Sequence, residues 1–342
     1  MLSHVRIRRR ASPRPLRLVV MASLGLAFLA GPVTVQAQPQ GVKTVRIGYL
    51  SSQSEAGTRA YSEAFREGLR DLGYVEGRNL VIEYRWGDGN NDQLPALAKE
   101  LTGLNLDLIV SVGGPFAARA AKAATTSTPI VFVSGQAVEA GIVASLARPG
   151  GNLTGFDVLA EALDAKRLEL IREMLPRAKH VAVLWHPGTP EGEVQRKKLE
   201  TAAVSMGVKL RFWGASRPGD LGAALAGIAR EHFEALLVLA DALFTSNAGQ
   251  IIAFETESRI PAIHFSRVFP DRGGLMSYGA DIAAIYRQSA TYVDRILKGT
   301  KPADLPVAQP TNFELVINRK TAKALGLTIP PSVLARATEI VE

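Results

Sequence analysis

The chain has 342 residues, of which 47% are hydrophobic and 21% charged, and it contains no cysteine. This balance is that of a globular protein, and the length favours two domains over a single compact core. Without cysteine the chain has neither disulfide bonds nor a site for an N-terminal lipid. The formal net charge of +8 comes mostly from six arginines in the first 17 residues. The remainder is near charge balance and has no basic face interleaved with aromatics, which argues against nucleic-acid binding.

The first 37 residues have the order of segments that export machinery recognises. The arginines are followed by an apolar run at residues 16–31 and then by Val35-Gln36-Ala37, a small-residue cleavage motif. The run is shorter than the about 20 apolar residues that span a bilayer. We therefore predict a signal peptide over residues 1–37, cleaved near Ala37–Gln38. The mature protein is expected to be periplasmic and not a lipoprotein, with Sec and twin-arginine export both open.

Strands and helices alternate in the first half of the chain. The near-continuous apolar run at residues 106–112 is typical of a parallel strand, which is covered on both faces. Helical spacing predicts helices at residues 61–73, at 95–101 and from Pro115. Apolar or alternating segments predict strands at residues 45–50, 80–86, 106–112, 130–133 and 152–157.

The same pattern then starts again. Helices are predicted at residues 162–175, 191–206, 221–232, 246–258 and 281–297, with a short one ending near Gly326. Strands are predicted at residues 180–185, 208–213, 235–239, 261–265, 274–278 and 313–317. The alternation predicts an α/β fold with two doubly wound parallel sheets. No proline- or glycine-rich linker separates the halves, which favours a hinge of several short crossings.

Ligands of open parallel sheets bind beyond the carboxyl ends of the strands. The loops expected there are short and rich in hydroxyls and glycine, and several lead into a helix N-terminus, which favours an anion. Each could be an ordinary βα turn, but together they predict a cleft for a polar small molecule. The candidate ligand-binding residues are Ser51, Ser52, Gln53, Gly114, Pro115, Gly135, Gln136, His186, Asp241, Phe244 and Tyr278.

A polarity can be assigned to this predicted cleft. The serine hydroxyls at 51 and 52 and the backbone N–H of Gly114 are expected to hold a carboxylate of the solute. Asp241 is expected to face a donor at the solute's other end, although a helix cap or an interdomain hydrogen bond is an equal alternative. Trp185 and Phe244 are expected to supply apolar walls.

The sequence contains few motifs that indicate a catalytic site. The chain has no nucleophile elbow, no Walker A loop and no complete dinucleotide fingerprint, since Gly87-Asp88-Gly89 lacks a third glycine. His186 and His264 both fall near predicted strand ends and could share a cleft, but two such distant histidines make a poor metal site. We therefore expect no catalytic residue, no metal and no cofactor.

Four segments resemble a known family: GYVEGRNLVIEYRWGDGN, ASLARPGGNLTGF, AKRLELIREMLP and the block running from GGLMSYGADI to PSVLARA. They are similar to the ABC transporter substrate-binding proteins related to the tryptophan-binding TrpX proteins, over residues 45–337. The resemblance implies a type I periplasmic-binding-protein fold, with two lobes joined by a three-crossing hinge around the ligand. It implies that one lobe holds residues 43–158 with 281–310, and the other residues 159–280 with 311–342.

The resemblance places family ligand positions on residues 51–53 and on Gly114-Pro115. The family's Asp-Pro-Val loop reads Gln136-Ala137-Val138 here, its Asn-Pro loop reads His186-Pro187, and its Thr-Asp-Asn turn keeps only Asp241. The implied function is that of a monomeric receptor, not an enzyme, which captures a small organic solute for the permease and ATPase of an ABC importer. A periplasmic enzyme and a ligand sensor that use the same cleft are the alternatives.

Overall fold

Two sheets organise residues 44–342, the part of the chain that the computed structural model describes. The predicted signal peptide, residues 1–37, lies outside the described residues. Within residues 44–342, no helix combines the length and the apolar character needed to cross a membrane.

The first sheet has five parallel strands in the order β2-β1-β3-β4-β5. Its strands are β1 (Val45–Ser51), β2 (Leu80–Trp86), β3 (Leu108–Val112), β4 (Ile130–Ser134) and β5 (Leu153–Asp157). The helices between them are α1 (Glu55–Asp71), α2 (Leu94–Thr102) and α3 (Pro115–Ala124). All residues of β3 and β4 are buried, as expected for parallel strands with helices on both faces.

The second sheet has seven strands in the order β12-β11-β10-β9-β8-β6-β7. Its strands are β6 (His180–Trp185), β7 (Lys209–Gly214), β8 (Ala235–Val238), β9 (Ala262–His264), β10 (Met276–Ala280), β11 (Phe313–Asn318) and β12 (Glu339–Val341). Its helices are α4 (Asp164–Met174), α5 (Pro190–Ser205), α6 (Pro218–Ala229), α7 (Ala242–Ser246), α8 (Ala248–Ser258), α10 (Arg319–Ala324) and α11 (Pro331–Leu334).

One more helix, α9 (Ile282–Leu297), follows β10 and packs against the helix and strands of the first sheet. Its closest partner is α1, and glycine permits the approach. A Cβ on Gly68 would lie 2.3 Å from the carbonyl oxygen of Arg287 and 2.9 Å from the Cβ of Ala290. We call the first sheet with α1–α3 and α9 the first lobe, and the second sheet with its helices the second lobe. The chain passes between the lobes after β5, after β10 and after α9.

The elements differ from the predictions in three ways. Helix α1 begins at Glu55 rather than at 61, because the Ser54 hydroxyl caps it by accepting a hydrogen bond from the Gly57 N–H. Strand β11 runs antiparallel to β10, so the second sheet is not purely parallel. Strand β12 and helices α7 and α11 are additional to the predicted elements; they have only three, five and four residues, too few for a periodic pattern to appear.

Candidate ligand-binding cleft

A cavity of about 120 Å³ lies between the two lobes. Loops at the carboxyl ends of β1, β3 and β4 line it from the first lobe, and loops following β6 and β8 line it from the second. A volume of this size has room for on the order of ten water-sized groups. The cavity therefore suits an organic molecule of roughly amino-acid size.

Seven of the eleven predicted site residues line this cavity. They come from five loops that are distant in sequence, and the fold brings them together at the strand ends as the parallel-sheet rule predicts. These residues are Gln53, Gly114, Pro115, Gly135, Gln136, His186 and Asp241.

The two serines after β1 do not line the cavity, because their hydroxyls hold the loop together. Ser51 Oγ accepts a hydrogen bond from the Gln53 N–H at 3.0 Å. Ser52 Oγ donates to the Gly113 carbonyl at 2.7 Å and so ties the β1 loop to the β3 loop. Their role in the structure is to position Gln53, rather than the expected direct contact with a carboxylate.

Three aromatic residues expected in the cleft lie outside it. Phe244 is fully buried in the hydrophobic core. Trp185 packs edge-on against Phe212 inside the second lobe, with ring centroids 5.7 Å apart. The Tyr278 ring lies 6.4 Å from that of Phe313. Burying these large apolar surfaces stabilises the lobes, so all three side chains pack into the protein core instead of lining the ligand cavity.

The first-lobe side of the cavity includes the open start of α3. Gly113 and Gly114 have positive φ angles of 88° and 117°, and a Cβ on Gly113 would lie 2.6 Å from Ser52 Oγ. Pro115 is the first helical residue, and no side chain caps the helix. The first N–H groups of α3 and its dipole therefore favour an anion at this end of the cavity.

Asp241 is one of the acidic residues of the second-lobe wall, and it has a structural role. Its Oδ1 accepts a hydrogen bond from the Leu243 N–H at 2.7 Å, which caps α7. Burial raises the pKa of this carboxyl, and nearby His186 counteracts the rise. His186 lies 3.3 Å from the Ser216 carbonyl through Nε2. Asp241 thus combines the capping and the cavity-lining roles that the sequence left as alternatives.

Arg167 lines the cavity at the hinge and is absent from the sequence-based candidates. Its side chain is fully buried. Nε donates to the Tyr278 carbonyl at 2.7 Å, and Nη1 donates to the Ala160 carbonyl at 2.8 Å and to Asp164. Nη2 has no hydrogen-bond partner within the described chain. The guanidinium is thus fixed in place with one nitrogen free.

Glu161, also missed from the sequence, lies beside this arginine. Its carboxylate packs so closely on Gly135 that a Cβ there would lie 2.6 Å from both oxygens. Burial raises the pKa of Glu161 to about 8. The carboxyl is therefore mostly protonated at neutral pH and adds little negative charge to the cavity.

The sequence contains one signal that could have identified Arg167. Asp164 and Arg167 stand three apart in α4, directly before the buried Leu168. Residues at this spacing lie on one face of a helix. A charged pair beside the core is recognised only once burial is known, since such pairs in helices are usually exposed.

Side chains from the two lobes meet around the cavity. Tyr61 OH lies 2.7 Å from Ser266 Oγ, and both are buried. At another edge, Arg119 of α3 forms an ion pair with Glu191 of α5. These contacts hold the lobes together across the cavity, so the structure shows a closed arrangement.

The aromatic ring of Phe116 packs edge-on against the imidazole of His186, at 5.2 Å between centroids. His264 does not share this cleft. It is buried in the second lobe, stacked on Phe269 at 4.0 Å, with Nε2 3.3 Å from Glu255. Among the described residues, no group of three or more His, Cys, Asp or Glu side chains is placed to hold a metal ion.

Comparison with known proteins agrees with this architecture. A family model described as ABC transporter substrate binding protein matches residues 50–341. A tyrosine-binding protein of Clostridioides difficile (strain R20291) is 26% identical over 92% of this chain and 93% of its own. The crystal structure of a conserved domain protein from Vibrio cholerae superposes with a TM-score of 0.80 at 31% identity, covering 87% of this chain and 100% of that one.

A second solved structure shares the fold. The ABC domain from Streptococcus pneumoniae in complex with L-Trp has a TM-score of 0.79 at 24% identity, covering 87% of this chain and 100% of that one. With two α/β lobes, three crossings and a cavity between them, and with the family model matching most of its length, the chain belongs to the ABC transporter substrate-binding proteins.

Proposed function

We propose that this protein is the solute receptor of an ABC importer and delivers a small organic solute to a membrane permease and its ATPase. The observation that carries the proposal is the small cavity between the lobes, around which side chains of both lobes make contact. Closure of two lobes on a solute creates a surface that differs from the open form, and a permease can recognise it. The receptor acts as a monomer and carries out no chemistry on the solute.

The solute combines a carboxylate with an apolar part. The cavity favours an anion, because the open start of α3 and the buried guanidinium of Arg167 both line it. Phe116 and Tyr286 supply aromatic surface to the same cavity. The relatives point to the same class, since one is a tyrosine-binding protein and another was crystallised with L-Trp. Aromatic amino acids are therefore the first probes to use.

The proposal includes export to the periplasm with removal of residues 1–37. Its support is the order of basic, apolar and small-residue segments in the sequence. Edman sequencing or mass spectrometry of protein from an osmotic-shock fraction should find an N-terminus close to Gln38. Recovery of the chain from the membrane fraction with Met1 intact would contradict it.

A thermal-shift screen of the mature protein against a solute library tests the receptor function. A ligand at 100 times its Kd stabilises a protein by about 2.7 kcal/mol, which raises Tm by roughly 5–10 °C for lobes of this size. As a control, Ala240→Trp fills the cavity, because Ala240 lines it. The variant should keep its circular dichroism spectrum and lose the shift. If no solute stabilises the wild type, or if the variant responds equally, the proposed site is wrong.

A further inference from the structure

Two buried polar atoms in the cavity wall have no hydrogen-bond partner. They are Arg167 Nη2 and Gln53 Oε1, and no other described residue that lines the cavity contributes such an atom. Arg167 is 0% exposed and Gln53 is 8% exposed. Burying a polar atom without a partner destabilises a protein, because the hydrogen bond that the atom made with water is lost. Two such atoms in one cavity, one from each lobe, indicate that a bound molecule supplies the missing partners.

The arginine is prepared to bind rather than to move. Its Nε and Nη1 are held by the carbonyls of Tyr278 and Ala160 and by Asp164. Gln195 in turn donates to the other oxygen of Asp164 at 2.6 Å. The guanidinium therefore keeps its orientation, and little conformational entropy is lost when Nη2 gains an acceptor.

Gln53 is held in the same way from the first lobe. Its N–H is bonded to Ser51 Oγ, and its side chain packs against the α-carbon of Gly113, where a Cβ would lie 3.1 Å from Gln53 Cγ. The amide oxygen accepts hydrogen bonds only, so its missing partner is an N–H or O–H group.

Resting on the solute-receptor function proposed above, we propose that Arg167 and Gln53 determine specificity as a pair. Arg167 Nη2 binds the carboxylate of the solute, and Gln53 Oε1 accepts a hydrogen bond from a donor on the same molecule. The substrate class is a small organic acid that also carries an N–H or O–H donor. The pair joins the solute to both lobes, so binding and closure are linked.

A carboxylate suits this position better than a phosphate does. Only one nitrogen of the guanidinium is free, so an end-on contact to a single oxygen replaces the bidentate fork that arginine forms with phosphates. Asp164 balances the arginine charge, which makes the site a weak partner for a dianion. Glu161, with its pKa raised to about 8 by burial, is mostly neutral at pH 7 and does not repel a single carboxylate.

The test uses matched probe pairs: L-tyrosine, L-tryptophan and a panel of small carboxylic acids, each beside its primary amide. Calorimetry on the wild type should show the acids binding at least tenfold more tightly than their amides. Arg167→Lys should weaken the acids about tenfold to hundredfold and reduce the acid-to-amide ratio. Gln53→Leu should weaken donor-bearing acids and leave that ratio unchanged.

Asn318→Ala is the matched structural control. Asn318 is buried in the second lobe, where it caps α10 and donates to the Pro270 carbonyl. Its replacement should lower Tm without changing the acid-to-amide ratio. A lower Tm alone is therefore not counted as loss of specificity in the other variants.

Two failures are distinguishable. The proposed role of Arg167 and Gln53 is wrong if the wild type binds amides as tightly as acids, or if Arg167→Lys leaves the acid-to-amide affinity ratio unchanged. Either result leaves the receptor function intact. Wild type that binds no solute of any class overturns the receptor function and the pair with it. If Arg167→Lys does not fold, the wild-type ratio and the Gln53→Leu measurement decide the question.

Discussion

Asp241 serves the helix that follows it and the cavity that it lines, and two substitutions separate these roles. Asn caps a helix about as well as Asp does, whereas Ala does not. Asp241→Asn should therefore keep the stability of the wild type, while Asp241→Ala should lose about 0.5–2 kcal/mol.

Both Asp241 variants should bind the solute about tenfold to hundredfold more weakly, because a charge-assisted hydrogen bond contributes roughly 1.5–3 kcal/mol. Urea unfolding and isothermal calorimetry on the same preparations measure the two effects. Unchanged affinity in Asp241→Asn would assign this residue to capping alone.

Glu161 makes stability depend on pH. The unfolded carboxyl ionises near 4.5, and burial in the folded protein raises the pKa of Glu161 to about 8. Between these values the folded state holds a proton that the unfolded state has lost, so stability falls as pH rises from about 4.5 to 8. Glu161→Gln removes this dependence while keeping the shape of the side chain.

Melting curves from pH 5 to 9 check the expectation for Glu161. From pH 5 to pH 8 the Tm of the wild type should fall by roughly 7–14 °C relative to that of the Gln variant, because about 3–4 kcal/mol of proton-linked stability is lost over this range. Parallel Tm profiles for the two proteins would show that Glu161 ionises normally in the folded state.

At the scale of elements, the contact of α1 with α9 depends on Gly68. A Cβ added there would lie 2.3 Å from the Arg287 carbonyl oxygen, so the contact leaves no space for a methyl group. Gly68→Ala should therefore destabilise the protein by about 1–3 kcal/mol despite the better helix propensity of alanine. Gly219→Ala in α6, where no atom lies within 4 Å of the added Cβ, is the control. It should be neutral or stabilising, and equal unfolding midpoints for the two variants would refute the packing argument.

The sequence predicts elements well where local pattern and tertiary environment agree. The apolar runs of β3 and β4 are read correctly because strands buried on both faces need no polar side. The direction of β11 cannot be read in this way. Its register is set after α9 has crossed to the first lobe and the chain has returned, and no local periodicity records that path.

The site residues likewise divide into those that a local sequence rule predicts and those that only tertiary packing determines. The positions of Gln53, Gly114 and Asp241 in the cavity follow from the rule that strand ends converge. Arg167 and Tyr286 lie within helices rather than in strand-end loops, and only the packing of α4 and α9 directs them to the cavity. Charges and aromatic rings in helices have ordinary structural roles elsewhere, so the sequence alone did not select these two.

At the scale of the whole molecule, the described structure is the closed form, and its stability depends on contacts between the lobes. Glu191 is buried, with 8% of its side chain exposed, and its partner Arg119 comes from the opposite lobe. Opening the cleft returns both charges to water. Because binding of a solute favours the closed form, solute should reduce the radius of gyration in small-angle X-ray scattering.

Replacing Arg119 tests this link between closure and affinity. Arg119→Met leaves the Glu191 carboxylate buried without its partner in the closed form only, so the variant should favour the open form. A loss of about 1 kcal/mol, typical of a partly exposed pair, lowers affinity roughly fivefold. The scattering change at a fixed solute concentration near Kd should shrink accordingly. Arg196→Met is the control, because Arg196 pairs with Glu193 and Glu200 of its own helix and spans no cleft. If both variants bind the solute with the same affinity, closure does not depend on this ion pair. If saturating solute leaves the radius of gyration of the wild type unchanged, closure does not accompany binding.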